Sequence, residues 1–341
     1  TLWTRDPMDI LNALVAFLNF IVVPGLAYGS QLALGALGIT LIFSVLRFSN
    51  FAHGDTMAFG TAFVILFTWW FQSMGITAGP LPTALLALPL GILVTIAMVL
   101  ATDRVVYRFY RKQRAKPIIV VIVSTGVMFV MNGLVRMIIG TSEQNFTDGA
   151  RMMLNPQDFK AATGLVEPLA IKTTQAISVA AALICCALLF WFLQKTRTGK
   201  SMRAYSDNED LALLSGINPE RVVTITWIIA GALACIAGTL YGLDKSYRGI
   251  VYFSLLMPMF AAAVVGGLGS PLGAVIGSFI VAFSELIVTS AWKKVLGYLV
   301  PADWLGDGLY QALSTDYKVA VSFTILIMVL LFRPQGIFGG K

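Results

Sequence analysis

The chain has 341 residues, 57% hydrophobic and only 12% charged, against about 25% charged in ordinary soluble domains. Its mean hydropathy is +0.81, which excludes a water-soluble fold because too little polar surface exists to cover one. The net charge of +7 and the pI near 9.4 point to Lys and Arg retained in cytoplasmic loops rather than to a nucleic-acid partner.

About 20 apolar residues cross a bilayer as a helix. On that ruler the chain reads as spans at 8–27, 29–46, 55–73, 83–102, 118–140, 175–194, 223–243, 272–290 and 318–332. A further apolar run, 254–267, is too short to cross alone and leads into Gly266-Gly267-Leu268-Gly269-Ser270-Pro271. Non-helical backbone at membrane depth must be buried in protein or line a wet cavity. Residues 254–290 are therefore expected to form a short half-helix, a glycine turn and a return helix. The fold class is an all-α polytopic membrane protein of about ten membrane elements, with residues 1–341 forming one transmembrane domain. No small-residue cleavage site of a secretory leader is visible near the start.

Loop charge sets the orientation. Segment 103–117 carries Arg104, Arg108, Arg111, Lys112, Arg114 and Lys116 against Asp103 alone, and segment 195–222 carries Lys195, Arg197, Lys200, Arg203 and Arg221. An even number of crossings separates them, so both lie on one side, the cytoplasm by the positive-inside rule. Counting along the expected spans puts both termini there too, with loops 141–174 and 291–317 outside. Gly25/Gly29, Gly238/Gly242 and Gly273/Gly277 are each four apart, a spacing that lets helix backbones approach closely. Cys185, Cys186 and Cys235 sit inside apolar runs without metal-ligand spacing and read as small packing residues. No cofactor is expected.

The most polar stretch is "GKSMRAYSDNEDLALLSGINPERV", residues 199–222. Its Gly199-Lys200-Ser201 ends like a phosphate-binding loop, but such a loop needs a glycine five residues earlier, where Gln194 stands. The segment reads instead as a surface object. Ser206 is placed as the N-cap of a capping box with Glu209, Leu211-Ala212-Leu213-Leu214 as the helical turns, and Gly216 as the stop. Asn218 caps the next helix, with Pro219 in its first turn. A plain connection needs only a few residues; this one predicts a docking surface, with Ala212 allowing close approach and Asn208 lying solvated in the first turn.

With "AGALACIAGTLYG" after it, this stretch resembles the permease subunits of branched-chain amino acid ABC importers, the LivH-type family. So do "LGITLIFSVLRFSNFAHGDTMAFGTAF" (35–63), "MFAAAVVGGLGSPLGAVIGSFIVAFSEL" (259–286) and the tail "LLFRPQGIFG" (330–339). The resemblance covers most of residues 25–339, with residues 1–24 matching less well. It implies that 195–222 is the segment seated in a groove of a separate cytoplasmic ATPase, which brings the phosphate loop. Arg203, Asp207, Glu209, Asp210, Ala212 and Gly216 are then coupling residues, with Ser206 and Asn218 as caps. The implied partners are a second, homologous permease, two ATP-binding subunits and an external solute-binding protein, in a bacterial inner membrane. Where the family has Asn-Phe-Ala-His-Gly-Glu, this chain has Asn50-Phe51-Ala52-His53-Gly54-Asp55, one methylene shorter at the acid.

Intramembrane ionisable groups face protein or water, not lipid. Asn50, His53 and Asp55 lie at a helix junction, where they are expected to satisfy broken backbone and one another. Three roles stay open for them: a structural hinge, a lining of the transport path, or proton transfer. Gly266, Gly267 and Gly269 belong to the same path-or-hinge set. Asn132, Arg136 and Glu285 read as packing or interfacial anchors. A membrane enzyme would need a catalytic constellation, yet there is one His and neither HExxH nor GxSxG. A self-contained ion-coupled carrier would use discontinuous helices but has no reason to build a capped cytoplasmic segment. For substrate, the family default is Leu, Ile or Val; urea, short amides and other amino acids are alternatives that these residues do not distinguish.

Overall fold

The computed structural model describes residues 7–146, 148–299, 310–333 and 335–338. The start of the chain, the middle of the expected 291–317 loop and parts of the tail therefore fall outside the described residues. The chain folds as a helical bundle, and among the described residues eight helices are long and apolar enough to cross a membrane.

The first departure from the span reading is at the start. Instead of two spans at 8–27 and 29–46, α1 (Pro7–Phe17), a π-helical turn (Leu18–Val22) and α2 (Val23–Leu46) form one unbroken rod. Pro24, in the first turn of α2, cannot donate to the backbone ladder of this continuous helix, and the π turn immediately before it takes up the irregularity without breaking the rod. The apolar stretch of this rod, Met8–Leu46, has 39 residues; at 1.5 Å per residue it is roughly 58 Å long, about twice the hydrocarbon thickness.

Then follow α3 (His53–Ser73), α4 (Ala84–Thr102), a second π turn (Asp103–Tyr107), α5 (Arg108–Lys112) and α6 (Pro117–Ile139). The loop after α6 holds β1 (Met152–Leu154), α7 (Pro156–Thr163) and β2 (Ile171–Lys172), the two strands pairing antiparallel. Next come α8 (Thr173–Lys195), α9 (Arg197–Asp207), α10 (Glu209–Leu214), α11 (Pro219–Asp244), α12 (Gly249–Gly266), α13 (Pro271–Thr289), α14 (Lys293–Leu299) and α15 (Lys318–Phe332).

At the centre, α2 packs against α11, α12 and α13. The glycine pairs lie at helix contacts in and beside this centre: Gly25/Gly29 between α2 and α13, Gly238/Gly242 on α11 facing α3 and α12, and Gly273/Gly277 between α13 and α12. A Cβ on Gly25 or Gly29 would collide with Phe283 or Phe279 of α13, one on Gly238 would lie 2.7 Å from the Met57 carbonyl of α3, and one on Gly277 would strike the Ala262 carbonyl of α12. Close backbone approach is thus the packing principle of the core.

The helix break at the glycine turn is present: Gly267 and Gly269 have φ of 104° and 93°, and Ser270 Oγ caps α13 by accepting the Gly273 N–H at 3.2 Å. The apolar run before it is not a half-helix. It is the later part of α12, which begins at Gly249 and reaches 18 residues. The tail returns to this break, the N–H groups of Ile337 and Phe338 donating to the carbonyls of Val265 (2.8 Å) and Gly266 (3.0 Å).

Contacts sort the loops to two ends. At one, Arg108 and Arg111 meet Glu220 at 3.4 and 3.7 Å, and Arg47 donates to the Ser206 carbonyl, so the two basic segments share an end as expected. At the other, Asn12 Oδ1 accepts the N–H groups of Val166 and Glu167 at 3.0 and 3.1 Å, and Tyr298 donates to Glu167 at 3.0 Å. The rod therefore starts at the end opposite the basic segments, while the described tail finishes at theirs. Fusing two expected spans into one changes the parity of crossings, so the first described residues of the rod and the last described residues of the tail lie at opposite ends of the bundle. In a background lacking the three native cysteines, Lys112→Cys and Ser215→Cys should resist a membrane-impermeant thiol reagent in intact cells. Met8→Cys and Asp148→Cys should react. Labelling of Met8→Cys only after permeabilisation would contradict the single-rod topology.

Candidate functional site: a capped surface helix and the helix entry behind it

The polar insert is built from three helix starts. Thr196, in extended backbone after α8, accepts the Gly199 N–H on its Oγ1 at 3.0 Å and opens α9. Gly199 is a glycine for packing, since a Cβ there would lie 2.6 Å from Leu193 Cα; the Gly-Lys-Ser letters record a tight helix corner. Met202 and Tyr205 are buried three residues apart, while Arg203 and Asp207 face solvent.

The expected capping box is displaced. Ser206 is in the last turn of α9 rather than at an N-cap, and its carbonyl is taken by Arg47. Asn208 supplies the cap of α10, its Oδ1 accepting the Leu211 N–H at 3.0 Å. It is exposed, as expected, but as the cap it is a structural residue. Glu209 accepts from Tyr205 Oη at 2.6 Å instead of reaching back to a cap. Burial, followed by the hydrogen bond and charge of Glu209, pushes the Tyr205 phenol above its ordinary range, so it stays a donor at neutral pH. Gly216 ends α10 at φ 81°, and Asn218 caps α11 by accepting the Arg221 N–H at 3.3 Å, with Pro219 as the first helical residue.

Ala212 does not face outward. It is 3% exposed and packs into the chain's own core, while Leu214 is 86% and Leu211 61% exposed. The helix presents leucines and its first-turn acids Glu209 and Asp210 to solvent, and its alanine to the bundle. Beside it, a cleft of about 380 Å³ sets Glu209 and Asp210 opposite Arg111 and Arg114. A larger cavity of about 520 Å³ separates Lys200, Arg203 and Asp207 from Gly269 and Pro271 of the glycine turn. Gly266 and Gly267 complete that turn: a Cβ on Gly266 would strike the Gly273 carbonyl, and one on Gly336 of the tail would lie 2.5 Å from Gly267 Cα.

Behind this surface lies the entry to α3. Asn50, His53 and Asp55 are each at most 3% exposed, but their side chains diverge instead of satisfying one another. Asn50 Oδ1 accepts the Ala52 N–H at 3.1 Å and Tyr107 Oη at 3.2 Å. The His53 ring fills the space over Gly38 of α2, and its Nε2 has no hydrogen-bond partner. Asp55 Oδ1 accepts from Asn132 Nδ2 of α6 at 2.9 Å, and its Oδ2 is buried without one. Glu285, 1% exposed, takes the Ser322 hydroxyl and ties α13 to α15. Arg136 is exposed on α6.

Sequence reasoning missed Asp103, Tyr107 and Trp227, which converge near Asn50. Asp103 Oδ1 accepts from Arg111 Nη1 and from Trp227 Nε1, both at 2.8 Å. One signal was available: a single acid among six basic residues at the end of an apolar helix.

A bundle of spanning helices with broken, protein-covered turns and a capped polar surface segment has the architecture of a polytopic membrane permease. The family described as branched-chain amino acid transport system / permease component matches residues 21–330, and the chain belongs to it as a LivH-type ABC-transporter permease. It is 31% identical over 322 residues to the high-affinity branched-chain amino acid transport system permease protein LivH of Escherichia coli K12, covering 92% of this chain and 93% of that one. It is 29% identical over 320 residues to the corresponding permease protein BraD of Pseudomonas aeruginosa, covering 93% and 94%.

Ala212→Arg should destabilise the permease itself, because the long cation would enter its own core without a partner. Asn208→Ala should cost about 1 kcal/mol as a lost N-cap. Thermal unfolding of the detergent-solubilised chain should show a clear loss for Ala212→Arg and a smaller one for Asn208→Ala. Parental stability of Ala212→Arg would contradict the inward-facing helix.

Proposed function

We propose that this chain is the permease subunit of an ATP-driven importer of branched-chain or other small neutral amino acids, working with separate cytoplasmic ATPase subunits. The observation that carries the reading is α10: a helix of six residues, capped at its start by Asn208 and held to α9 by Tyr205–Glu209, that nevertheless exposes Leu211 and Leu214. Apolar side chains displayed on a rigid, water-facing corner suit a protein partner. The names of the E. coli and P. aeruginosa relatives, which cover this chain nearly end to end, support the substrate class.

In this reading residues 195–222 form the coupling segment within one permease domain, and the face offered to the ATPase is Leu211, Leu214, Arg203, Asp207 and Asp210. Ser206, Glu209, Ala212 and Gly216 hold that face in place from behind. A second, homologous permease completes the membrane pair, and an external solute-binding protein meets the end formed by loops 141–174 and 291–317. The protein resides in the inner membrane with the basic segments and the tail in the cytoplasm and the start of the rod outside. Closure of the ATPases moves the segment, and the bundle follows as rigid bodies. The entry at Asn50, His53 and Asp55 and the turn at Gly266, Gly267 and Gly269 are the hinge or path positions, since at both the helix is broken inside protein.

Leu214→Arg places bulk and charge on the exposed face without burying anything in the chain itself. It should leave the permease as stable as the parent, abolish co-purification with the ATPase subunits, and reduce uptake of labelled leucine at least about tenfold, as expected when an unpaired charge enters an interface. A Leu214→Arg complex that assembles and transports like the parent would rule out this face as the ATPase contact.

A further inference from the structure

Asp103 ends an apolar helix, is 5% exposed, and has no role in the coupling segment as described. A carboxylate is kept in such a place only if partners replace its water, and here they come from two other elements, α5 and α11. Arg111 of α5 binds both oxygens, Nη1 to Oδ1 at 2.8 Å and Nη2 to Oδ2 at 3.3 Å. The Trp227 indole of α11 shares Oδ1 at 2.8 Å. The π turn Asp103–Tyr107 buries its first and last residues while Arg104 and Val105 face out. Tyr107 thereby stacks on the same Trp227, with centroids 5.1 Å apart and rings 15° from parallel.

The cluster has two outlets. Toward the membrane, Tyr107 donates to Asn50 Oδ1 at 3.2 Å, and that oxygen also receives the Ala52 N–H just before α3. Toward the surface, Arg111 reaches Glu220 at 3.7 Å, in the first turn of α11 at the end of the insert, and lines the cleft that also holds Glu209 and Asp210. The Glu220 pairs are half-exposed and screened, so they carry little. The bidentate, shielded Asp103–Arg111 pair is the strong directional contact.

We infer that Asp103, clamped by Arg111 and Trp227, is the positioning residue that joins movement of the polar insert to movement of the α3 entry. The inference rests on the importer reading. Its physical content is that α5, the π turn and α11 move as one piece because a single buried carboxylate ties them, and the Asn50 loop follows through Tyr107, which stacks on Trp227 and bonds Asn50. Coupling between sites is a free energy that such a tie can supply, typically about 5–150-fold in an equilibrium.

The test is Asp103→Asn and Trp227→Phe in the complete complex with its ATPase subunits and solute-binding protein. Trp227→Phe keeps a ring over Tyr107 and the ion pair but removes the indole donor, so it carries the test should Asp103→Asn fail to accumulate in membranes. The expected result is a complex that assembles and hydrolyses ATP at the parental basal rate, while leucine uptake falls at least about tenfold for Asp103→Asn and by a smaller factor for Trp227→Phe. Stimulation of hydrolysis by loaded solute-binding protein should fall in step. Parental uptake per ATP in both variants overturns the inference, and so does a parallel loss of assembly, hydrolysis and uptake, which would mark a structural brace only. A parental complex that shows no uptake coupled to hydrolysis would instead overturn the importer reading on which this one stands.

Discussion

Every place where this chain leaves the α-helix inside the bundle must have its backbone roofed by protein, because lipid offers no hydrogen bonds. Two breaks obey that constraint in similar ways. After α2, Arg47 turns the chain at φ 57°, the Phe51 N–H finds Ser124 Oγ at 3.1 Å, and Asn50 covers Ala52. After α12, glycines make the turn, Ser270 caps the return helix, and the tail fills the carbonyls of Val265 and Gly266. The two breaks flank the core formed by α2, α11, α12 and α13. Its glycines leave little room for one helix to adjust without its neighbour, so motion in it is of rods rather than of side chains.

This arrangement makes the polar insert intelligible. A surface helix of six residues has no stability of its own; α10 exists because Asn208 caps it, Tyr205 holds Glu209, and Ala212 is buried under it. The same anchoring that orders α10 makes it a lever. A push on Leu214 is a push on Ala212 and on α11, which starts three residues after Gly216 behind its own Asn218 cap.

Much of this was legible in the sequence. The lipid solvent, the two basic segments sharing an end, the glycine contacts, the break before Pro271, the Gly216 stop and the Asn218 cap all follow from residue chemistry over short range. Four features were not. The rod from Pro7 to Leu46 was divided because hydropathy measures the length of an apolar run, and a run of twice bilayer length is indistinguishable from two spans with no loop between them. Ser206 and Asn208 are both good N-caps two residues apart; the choice was made by Arg47, which draws the Ser206 carbonyl into α9 from 159 residues away. Ala212 was assigned to the outer face because small residues mark close approach, and sequence does not say whether the approaching surface is a partner or the chain's own core. Asp103 was hidden for a similar reason, since Arg111, Trp227 and Tyr107 meet it only through tertiary packing.

The central claim is that the leucine face of α10, and not its alanine face, meets the ATPase. Site-specific photo-crosslinking tests it most directly, with a photoreactive amino acid placed singly at positions 211, 212 and 214 in the assembled transporter. Adducts to the ATPase subunit from 211 and 214, with position 212 giving only intrachain products, are the predicted result. An ATPase adduct from 212 with none from 214 would contradict the account, because it would require α10 to be turned over relative to the bundle that holds it.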